Sequence, residues 1–306
     1  MTGAKYHQGS AQFFELIECK TFDELREKYR NISKNRDWKF AHWAFRGEAD
    51  SCWQLQTSLE RIVGPEKLKD ARGIEFRITR EFMRRAHRYL PDVPKDEILE
   101  WLALMQHHGA PTRLLDWTYS FEVALHVAAV RPLSEPRHGK RAIWAIDLDW
   151  ARDKFEKMLP QNLRGTWKKL DDPKKLPKIL AKERLGVLQV TPFRLNERIS
   201  IQQGTFLMPG KVSVSFEENL NAMNLNETSI RPYVFKFVFP GGRECPEGRE
   251  FLTEAIEHLR AINITETTLF PGLDGYARSL SAFAQLVTFN PDEFPRNADV
   301  FSLKKG

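Results

Sequence analysis

Residues 106–118 form a dense polar block between two apolar segments, and this block constrains the fold more than any other feature of the chain. It reads Gln-His-His-Gly-Ala-Pro-Thr-Arg-Leu-Leu-Asp-Trp-Thr. Gly109 and Pro111 predict the end of the preceding helix, because glycine favours a helix C-terminus and proline cannot continue one. Polar groups this concentrated beside a core need hydrogen-bond partners if they are buried. The block therefore predicts a binding site or a polar network in the core.

The rest of the chain predicts helices and strands in the mixture that is typical of an α+β domain. The first predicted helix follows a cap at Thr21. Further helices are predicted at residues 65–90, 95–108, after 118 to before Pro132, 249–262 and 276–285, and strands at residues 39–45, 142–148, 186–193, 199–202, 205–208 and 233–238.

The predicted helix at residues 65–90 has two faces of different character. An apolar stripe predicts the buried face, and the arginines predict either a solvated face or, for a nucleic-acid substrate, a surface for its phosphates. The stripe consists of Ile74, Ile78, Phe82 and Ala86, and the basic face of Arg77, Arg80, Arg84 and Arg88.

Composition sets broad limits on the function. The chain has 306 residues and a net charge of +6, which favours an acidic partner such as a nucleic acid or a phosphorylated ligand. Three widely spaced cysteines predict neither a disulfide framework nor a metal site. We see no apolar run near the roughly 18 residues of a membrane helix, so a reduced cytoplasmic protein with no membrane partner is expected.

Residues 151–184 are rich in lysine and interrupted by Pro160, Pro173 and Pro177. This texture predicts a basic insertion or flap outside the core. The expected organisation is a helical N-terminal lead-in at residues 1–37, a main domain at 38–290 that contains the insertion, and a C-terminal tail at 291–306.

Several other stretches accompany the polar block in a fixed order. They are Phe45-Arg46-Gly47, Trp53-Gln54-Leu55, Ser58-Leu59-Glu60-Arg61, Arg198 followed by Gln202-Gln203-Gly204, and Leu269-Phe270-Pro271-Gly272-Leu273-Asp274-Gly275. Together with the polar block, these stretches resemble the FRG domain family, which is named for the tripeptide at residues 45–47. The resemblance covers roughly residues 38–285.

The order of these motifs is also similar to that of the ADP-ribosyltransferase fold. The resemblance implies a central split antiparallel sheet with helical N-terminal and C-terminal additions. In that pattern a first strand ends in an aromatic-Arg-Gly triplet, a second carries a polar triplet ahead of an alanine-containing helix, and a late strand carries the catalytic glutamate. The matching segments are Phe45–Gly47, Leu115–Thr118 and Gln203–Pro209.

The second resemblance implies an enzyme that uses NAD as its substrate and modifies a macromolecule. The basic charge favours RNA or DNA over protein as the acceptor. Bacterial relatives imply a toxin or antiphage role, and with it an antitoxin or chaperone partner. The implied catalytic residues are Arg46, Asp116, His107, His108 and Gln203, and the implied NAD-binding residues are Phe45, Arg46, Gly47, Arg113, Asp116, Trp117 and Thr118.

One departure affects the chemistry directly. Where the transferase pattern has Glu-x-Glu, this chain has Gln203-Gly204-Thr205. Because cleavage of the nicotinamide bond builds positive charge on the ribose, a carboxylate is needed elsewhere. Asp116 is the first choice and Glu48 the second.

Each candidate residue also has a structural interpretation. Arg46 could form a salt bridge at a strand end, and Arg113 could pair with Asp116 three residues away. The two histidines could cap helix carbonyls, Trp117 could be core, and Gln203 could lie on an edge strand. Two other functions therefore remain open: a non-enzymatic nucleotide or nucleic-acid binding module, and a metal-independent nuclease that uses His107 and His108.

Overall fold

A computed structural model describes residues 13–34, 43–86, 88–89, 97–130, 138–161, 164, 176–192, 197–224, 233–242, 244–273 and 275–280. One seven-stranded sheet lies at its centre, in the order β1-β7-β4-β2-β3-β6-β5. Every neighbouring pair is antiparallel except β1 and β7. The strands are β1 (Glu15–Glu18), β2 (Trp43–Glu48), β3 (Leu115–Thr118), β4 (Lys140–Asp147), β5 (Val187–Val190), β6 (Gly204–Pro209) and β7 (Val234–Pro240).

The α+β class with a mostly antiparallel sheet is confirmed, but the sheet is continuous and not split as predicted. Its weakest junction lies between β2 and β3, which pair at the single position Phe45–Thr118. The Arg46 side chain adds a hydrogen bond across this junction to the backbone oxygen of Asp116. That side-chain bridge helps to hold the two halves of the sheet together.

Helices cover both faces of the sheet. They are α1 (Phe22–Lys34), α2 (Ser58–Val63), α3 (Ala71–Ala86), α4 (Ile98–His107), α5 (Phe121–Ala129), α6 (Leu148–Met158), α7 (Leu176–Ala181), α8 (Glu197–Ile201), α9 (Phe216–Asn224), α10 (Pro246–Ala261) and α11 (Glu266–Leu269), with a 3-10 helix at Pro65–Asp70. Residues 275–280 are also helical. None of the helices in the described part of the chain is long and apolar enough to cross a membrane.

Alternation along β2 separates the two cores. Trp43 and Phe45 join the core formed with α1, α5 and α10, whereas Ala44 joins the core that includes residues of α4, α6 and α9. This alternation follows from the period of two in a strand. It directs the Arg46 side chain to one face of the sheet and turns Gly47 toward α5 on the other.

Three predictions about the elements need correction. The single helix predicted at residues 65–90 is a 3-10 helix followed by α3, after a turn at Gly64 with φ of +75°. The strand predicted at residues 199–202 is wrong because α8 includes the residues up to Ile201, and the backbone of Gln202 donates to the carbonyl of Arg198. The N-terminal lead-in also contributes β1, which pairs in parallel with β7.

The prediction that residues 151–184 lie outside the core is wrong for four apolar residues. Ala151, Phe155, Leu159 and Leu176 are all buried in the core. The first three are spaced four residues apart, so they form one apolar face among the charged residues of α6. The predicted domain boundaries themselves stay a prediction, and the tail at residues 291–306 lies outside the described residues.

Candidate functional site

Arg46 lies where the ladder between β2 and β3 ends. Its Nε donates to Glu48 Oε1 over 2.7 Å, and its Nη1 donates to the backbone oxygen of Asp116 over 2.8 Å. The Arg46 side chain is 19% exposed and that of Glu48 is 7% exposed. A guanidinium has five N–H donors, so these two contacts leave others for a ligand. Arg46 can therefore form the predicted salt bridge and still donate hydrogen bonds to a ligand.

Phe45 and Gly47 point to the opposite face, against α5. Phe45 is buried and packs edge-on to Phe121, with ring centroids 5.5 Å apart. A Cβ at Gly47 would lie 2.0 Å from the backbone oxygen of Ala124. Packing thus explains both residues, and their predicted part in NAD binding stays a prediction.

The polar block begins with the helix end that the sequence predicted. Gly109 has φ of +76°, its N–H donates to the carbonyl of Gln106, and the N–H of Ala110 donates to that of Met105. These two bonds form a Schellman motif, which satisfies the free carbonyls at the end of α4. Helix α4 therefore stops at a fixed point and directs the chain into β3.

A chain of side-chain hydrogen bonds then runs from the loop to Asp116. Thr112 Oγ1 donates to Gln106 Oε1 over 2.6 Å, and Gln106 Nε2 donates to Asp116 Oδ2 over 2.8 Å. Thr112 is also tied to α2, since its carbonyl accepts from the backbone of Leu59 and from Ser58 Oγ. The Asp116 carboxylate is exposed, and this chain of hydrogen bonds holds it in one orientation.

Arg113 is buried and pairs with Glu75 of α3, which corrects the predicted pair with Asp116. Its Nε donates to Glu75 Oε1 over 2.6 Å, and its Nη2 donates to Glu75 Oε2. Both side chains are at most 10% exposed. The local spacing suggested a contact with Asp116, but the Arg113 side chain reaches α3, whereas the Asp116 carboxylate accepts from Gln106 of α4. This ion pair therefore joins the loop to α3, and the predicted part of Arg113 in NAD binding stays a prediction.

Removing one member of this ion pair should destabilise the protein strongly. We expect Glu75→Gln to lower the free energy of unfolding by about 3 kcal/mol, because Arg113 then stays buried without its counter-charge. The double variant Glu75→Leu with Arg113→Met should recover most of the loss. Denaturant unfolding of both variants checks this, and equal stability of Glu75→Gln and the natural protein would contradict it.

Trp117 and Thr118 complete β3 inside the structure. Trp117 is buried in the core beside residues of α4, which agrees with its structural interpretation. Thr118 is buried, and its Oγ1 donates to the carbonyl of Gln202 over 2.7 Å. The backbone of Tyr119 donates in turn to the carbonyl of Gln203. The end of β3 is thus fastened to the segment that carries Gln203.

Gln203 is exposed and has φ of +47°, a backbone conformation that non-glycine residues adopt rarely. Two residues later, Thr205 is buried in β6 and lies within 3.3 Å of Gln189 Nε2. Neither residue supplies a carboxylate. Arg46 contacts the Glu48 carboxylate directly, and it contacts Asp116 through the backbone oxygen of that residue.

His107 and His108 are exposed at the end of α4, with their ring centroids 5.0 Å apart. Although His107 is exposed as a whole residue, partial desolvation lowers its pKa below the usual value, and the charges of His108 and Arg198 lower it further. The lowered pKa favours the neutral form of His107, which is the form that can accept a proton. Among the described residues, no group of three or more His, Cys, Asp or Glu is placed to hold a metal ion.

Residues 41–136 match the FRG domain family, a range that contains β2, the polar block and α5. The chain carries an FRG domain. It matches no curated protein and no solved structure. Within the FRG domain, the tripeptide at 45–47 supplies one polar side chain to the site and two residues to packing. The segments at 198–204 and 269–275 lie beyond the matched range.

Sequence reasoning gave no role to three residues that lie around the candidate site. Gln106 orients Asp116, and Glu75 anchors Arg113. Lys236 and Arg46 lie on either side of Trp144 in the sheet, and the Nζ of Lys236 is 4.5 Å from the centroid of the Trp144 ring. Burial lowers the pKa of Lys236, and nearby Glu217 opposes that shift. One signal was available: a charged residue within an otherwise apolar stripe or strand needs a buried partner.

Proposed function

We propose that this FRG-domain protein is an ADP-ribosyltransferase-like enzyme that uses NAD to modify a macromolecule, with nucleic acid favoured over protein. The observation that carries the proposal is the adjacency of three motif strands. β2, β3 and β6 are consecutive in the sheet, and Arg46 bridges the first two. Gln202 and Gln203 attach the third to the end of β3. The implied NAD-binding motifs therefore share one region.

In this proposal Arg46 binds the phosphates of NAD with its remaining donors, a task for which a planar guanidinium is suited. Cleavage releases nicotinamide with the electron pair of its bond to the ribose, and positive charge develops on the sugar. The Asp116 carboxylate stabilises that charge. An acceptor oxygen or nitrogen then bonds to the ribose carbon and gives up its proton to a nearby base such as His107.

The choice of nucleic acid as the acceptor rests on the outer face of α3. Arg77, Arg80 and Arg84 are exposed there, and Phe76 beside them is 67% exposed. Clustered cations with an exposed aromatic ring suit a phosphate backbone and its bases. The toxin or antiphage role, with an antitoxin or chaperone partner, belongs to the same proposal and rests on the family resemblance alone.

The non-enzymatic binding module is the second candidate, and one observation favours it. The position of the second transferase glutamate is occupied by Thr205, buried in β6. A site without that carboxylate could bind NAD or nucleic acid and leave it unchanged. The nuclease rests on the exposed pair His107 and His108 and predicts cleavage of RNA without metal or NAD.

Incubation with NAD labelled in the adenylate group, together with RNA, DNA or cell protein, tests the proposal. We expect transfer of label to nucleic acid and release of nicotinamide. Binding without release would establish the binding module instead, and shortened RNA in the absence of NAD would establish the nuclease.

Asp116→Asn should identify the catalytic carboxylate. We expect kcat for nicotinamide release to fall about 100-fold or more, because the developing charge loses its stabilising group while Gln106 keeps a hydrogen-bond partner. Asp153→Asn on the exposed side of α6 is the matched control and should leave kcat unchanged. A full loss in Glu48→Gln with an active Asp116→Asn would transfer the role to Glu48.

A further inference from the structure

Trp144 of β4 carries a polar group that has no hydrogen-bond partner in the described part of the chain. The residue is 1% exposed, and its buried Nε1–H has no acceptor there. A buried donor without an acceptor has lost its water and costs free energy, so such donors are rare in folded proteins. An acceptor supplied by a ligand would remove that cost.

Trp144 lies between two basic residues in one row across the sheet. It is the register partner of Arg46 in β2 and of Lys236 in β7. Directly paired residues of neighbouring strands share a face, so the three side chains leave the sheet on the same side. The Lys236 Nζ lies 4.5 Å from the centroid of the Trp144 ring and donates to the backbone oxygen of Ser51 over 2.8 Å. An ammonium has three N–H donors, so Lys236 keeps others for a ligand on Trp144.

Two phenylalanines of the chain itself cover the indole of Trp144. The ring of Phe13 is almost parallel to the indole, at an interplanar angle of 8° with centroids 6.0 Å apart. The ring of Phe14 meets the indole edge-on, with centroids 4.7 Å apart. Offset parallel rings at such distances are the arrangement that a planar heterocycle adopts on an aromatic side chain. Phe13 therefore occupies a position that suits the ring of a ligand.

Both phenylalanines belong to an N-terminal strap, residues 13–18, that runs along one edge of the sheet. Its strand β1 has four residues, lies beside β7 at the end of the strand order and is exposed at three positions. The ion pair of Glu18 with Lys140, over 3.0 Å, is open to solvent. A short, exposed edge strand separates from its sheet at a low cost in free energy. Opening of the strap would uncover the Trp144 ring beside Lys236.

We propose that Trp144 and Lys236 form a binding site for a planar nitrogen heterocycle, and that the strap occupies this site until a ligand displaces it. Stacking of such a ring on an aromatic side chain is favourable for every nucleobase. A polar group at the rim of the stacked ring would accept from Trp144 Nε1, and Arg46 lies next in the row for an attached phosphate. The inference rests on the proposed function only for the source of the ring, since NAD contains both adenine and nicotinamide.

Calorimetric titration of the full chain with adenosine monophosphate, and separately with nicotinamide mononucleotide, tests the site. The double variant Phe13→Ala with Phe14→Ala leaves the indole uncovered. We expect its Kd for one of the probes to be about tenfold lower or more, because the ligand no longer competes with the rings of the strap. Leu16→Ala is the matched control: Leu16 is an exposed residue of the same strap, and its loss should leave Kd unchanged.

Two further substitutions, made in the double variant, identify the groups that hold the ligand. Trp144→Phe keeps an aromatic ring and removes the N–H, and Lys236→Met keeps an unbranched side chain and removes the ammonium. Each should raise Kd about threefold or more, the effect of one lost hydrogen bond. Thermal unfolding of the same samples shows that each variant is folded. In the natural protein, hydrogen exchange of the β1 amides should become faster when a probe binds, because the strap is displaced.

The probe with the lower Kd identifies the ring: adenosine monophosphate assigns the site to adenine, and nicotinamide mononucleotide assigns it to nicotinamide. Equal affinities of the folded double variant and Leu16→Ala for both probes overturn the inference. Unchanged exchange of the β1 amides in the natural protein saturated with a probe overturns it as well. Tighter binding by the double variant without any consumption of NAD contradicts only the proposed function.

Discussion

Replacing Arg46 with glutamine should lower kcat/KM for NAD about 100-fold or more. In the proposed function the planar guanidinium holds the dinucleotide phosphates at the β2–β3 junction, and glutamine carries no charge to replace it. Single-turnover measurements of nicotinamide release, with the Kd for NAD measured separately, show whether binding or chemistry is lost. We expect the loss mainly in binding.

The same substitution should also destabilise the fold, and this effect must be separated from the catalytic one. Without Arg46, the buried carboxylate of Glu48 loses its ion-pair partner, which costs about 3 kcal/mol. The double variant Arg46→Gln with Glu48→Gln removes the unpaired charge. It should therefore regain most of the stability and none of the activity.

Two outcomes would decide against this role for Arg46. If the stable double variant releases nicotinamide at the natural rate, Arg46 serves the sheet junction alone. If the single variant loses NAD binding but still cleaves RNA, the chemistry belongs to the histidines and not to NAD. Each outcome is read on folded protein, since thermal unfolding is measured on the same samples.

Local signals in the sequence predicted the parts of the fold that depend on neighbouring residues. Thr21 caps α1 by accepting from the backbone of Glu24, and Gly109 ends α4 in the expected conformation. Apolar runs placed β4 and β7 correctly. In each case the stabilising contact lies within a few residues, so the sequence pattern contains it.

Contacts between distant residues explain the failures. β1 is only four residues long and mostly exposed, and it exists because it pairs with β7 more than 200 positions away. Arg113 finds Glu75 across 38 positions, in preference to the nearby Asp116. The candidate site shows the same dependence on distant contacts. The sequence identified the polar residue types, but the face of the sheet to which each side chain points follows only from the strand register.

Of the glycine-to-alanine substitutions near the site, Gly47→Ala should lower the stability of the protein most. The new Cβ would lie 2.0 Å from the backbone oxygen of Ala124 and 2.7 Å from the backbone nitrogen of Ala128. Because both obstacles are helix backbone, no side-chain rotation can relieve the contact, and α5 must move away from β2. We expect the free energy of unfolding to fall by about 3 kcal/mol or more, at the upper end for overpacked cores.

Gly73→Ala provides the matched control, because this glycine lies on the exposed side of α3 with no atom within 4 Å of the added Cβ. Alanine there should stabilise the protein by about 0.5–1 kcal/mol, since it restricts the unfolded chain and favours the helix. Denaturant unfolding compares the two variants directly. Similar stabilities would mean that α5 yields easily. The glycine of the tripeptide would then be explained by a ligand close to the backbone of β2, which NAD binding by Gly47→Ala would test.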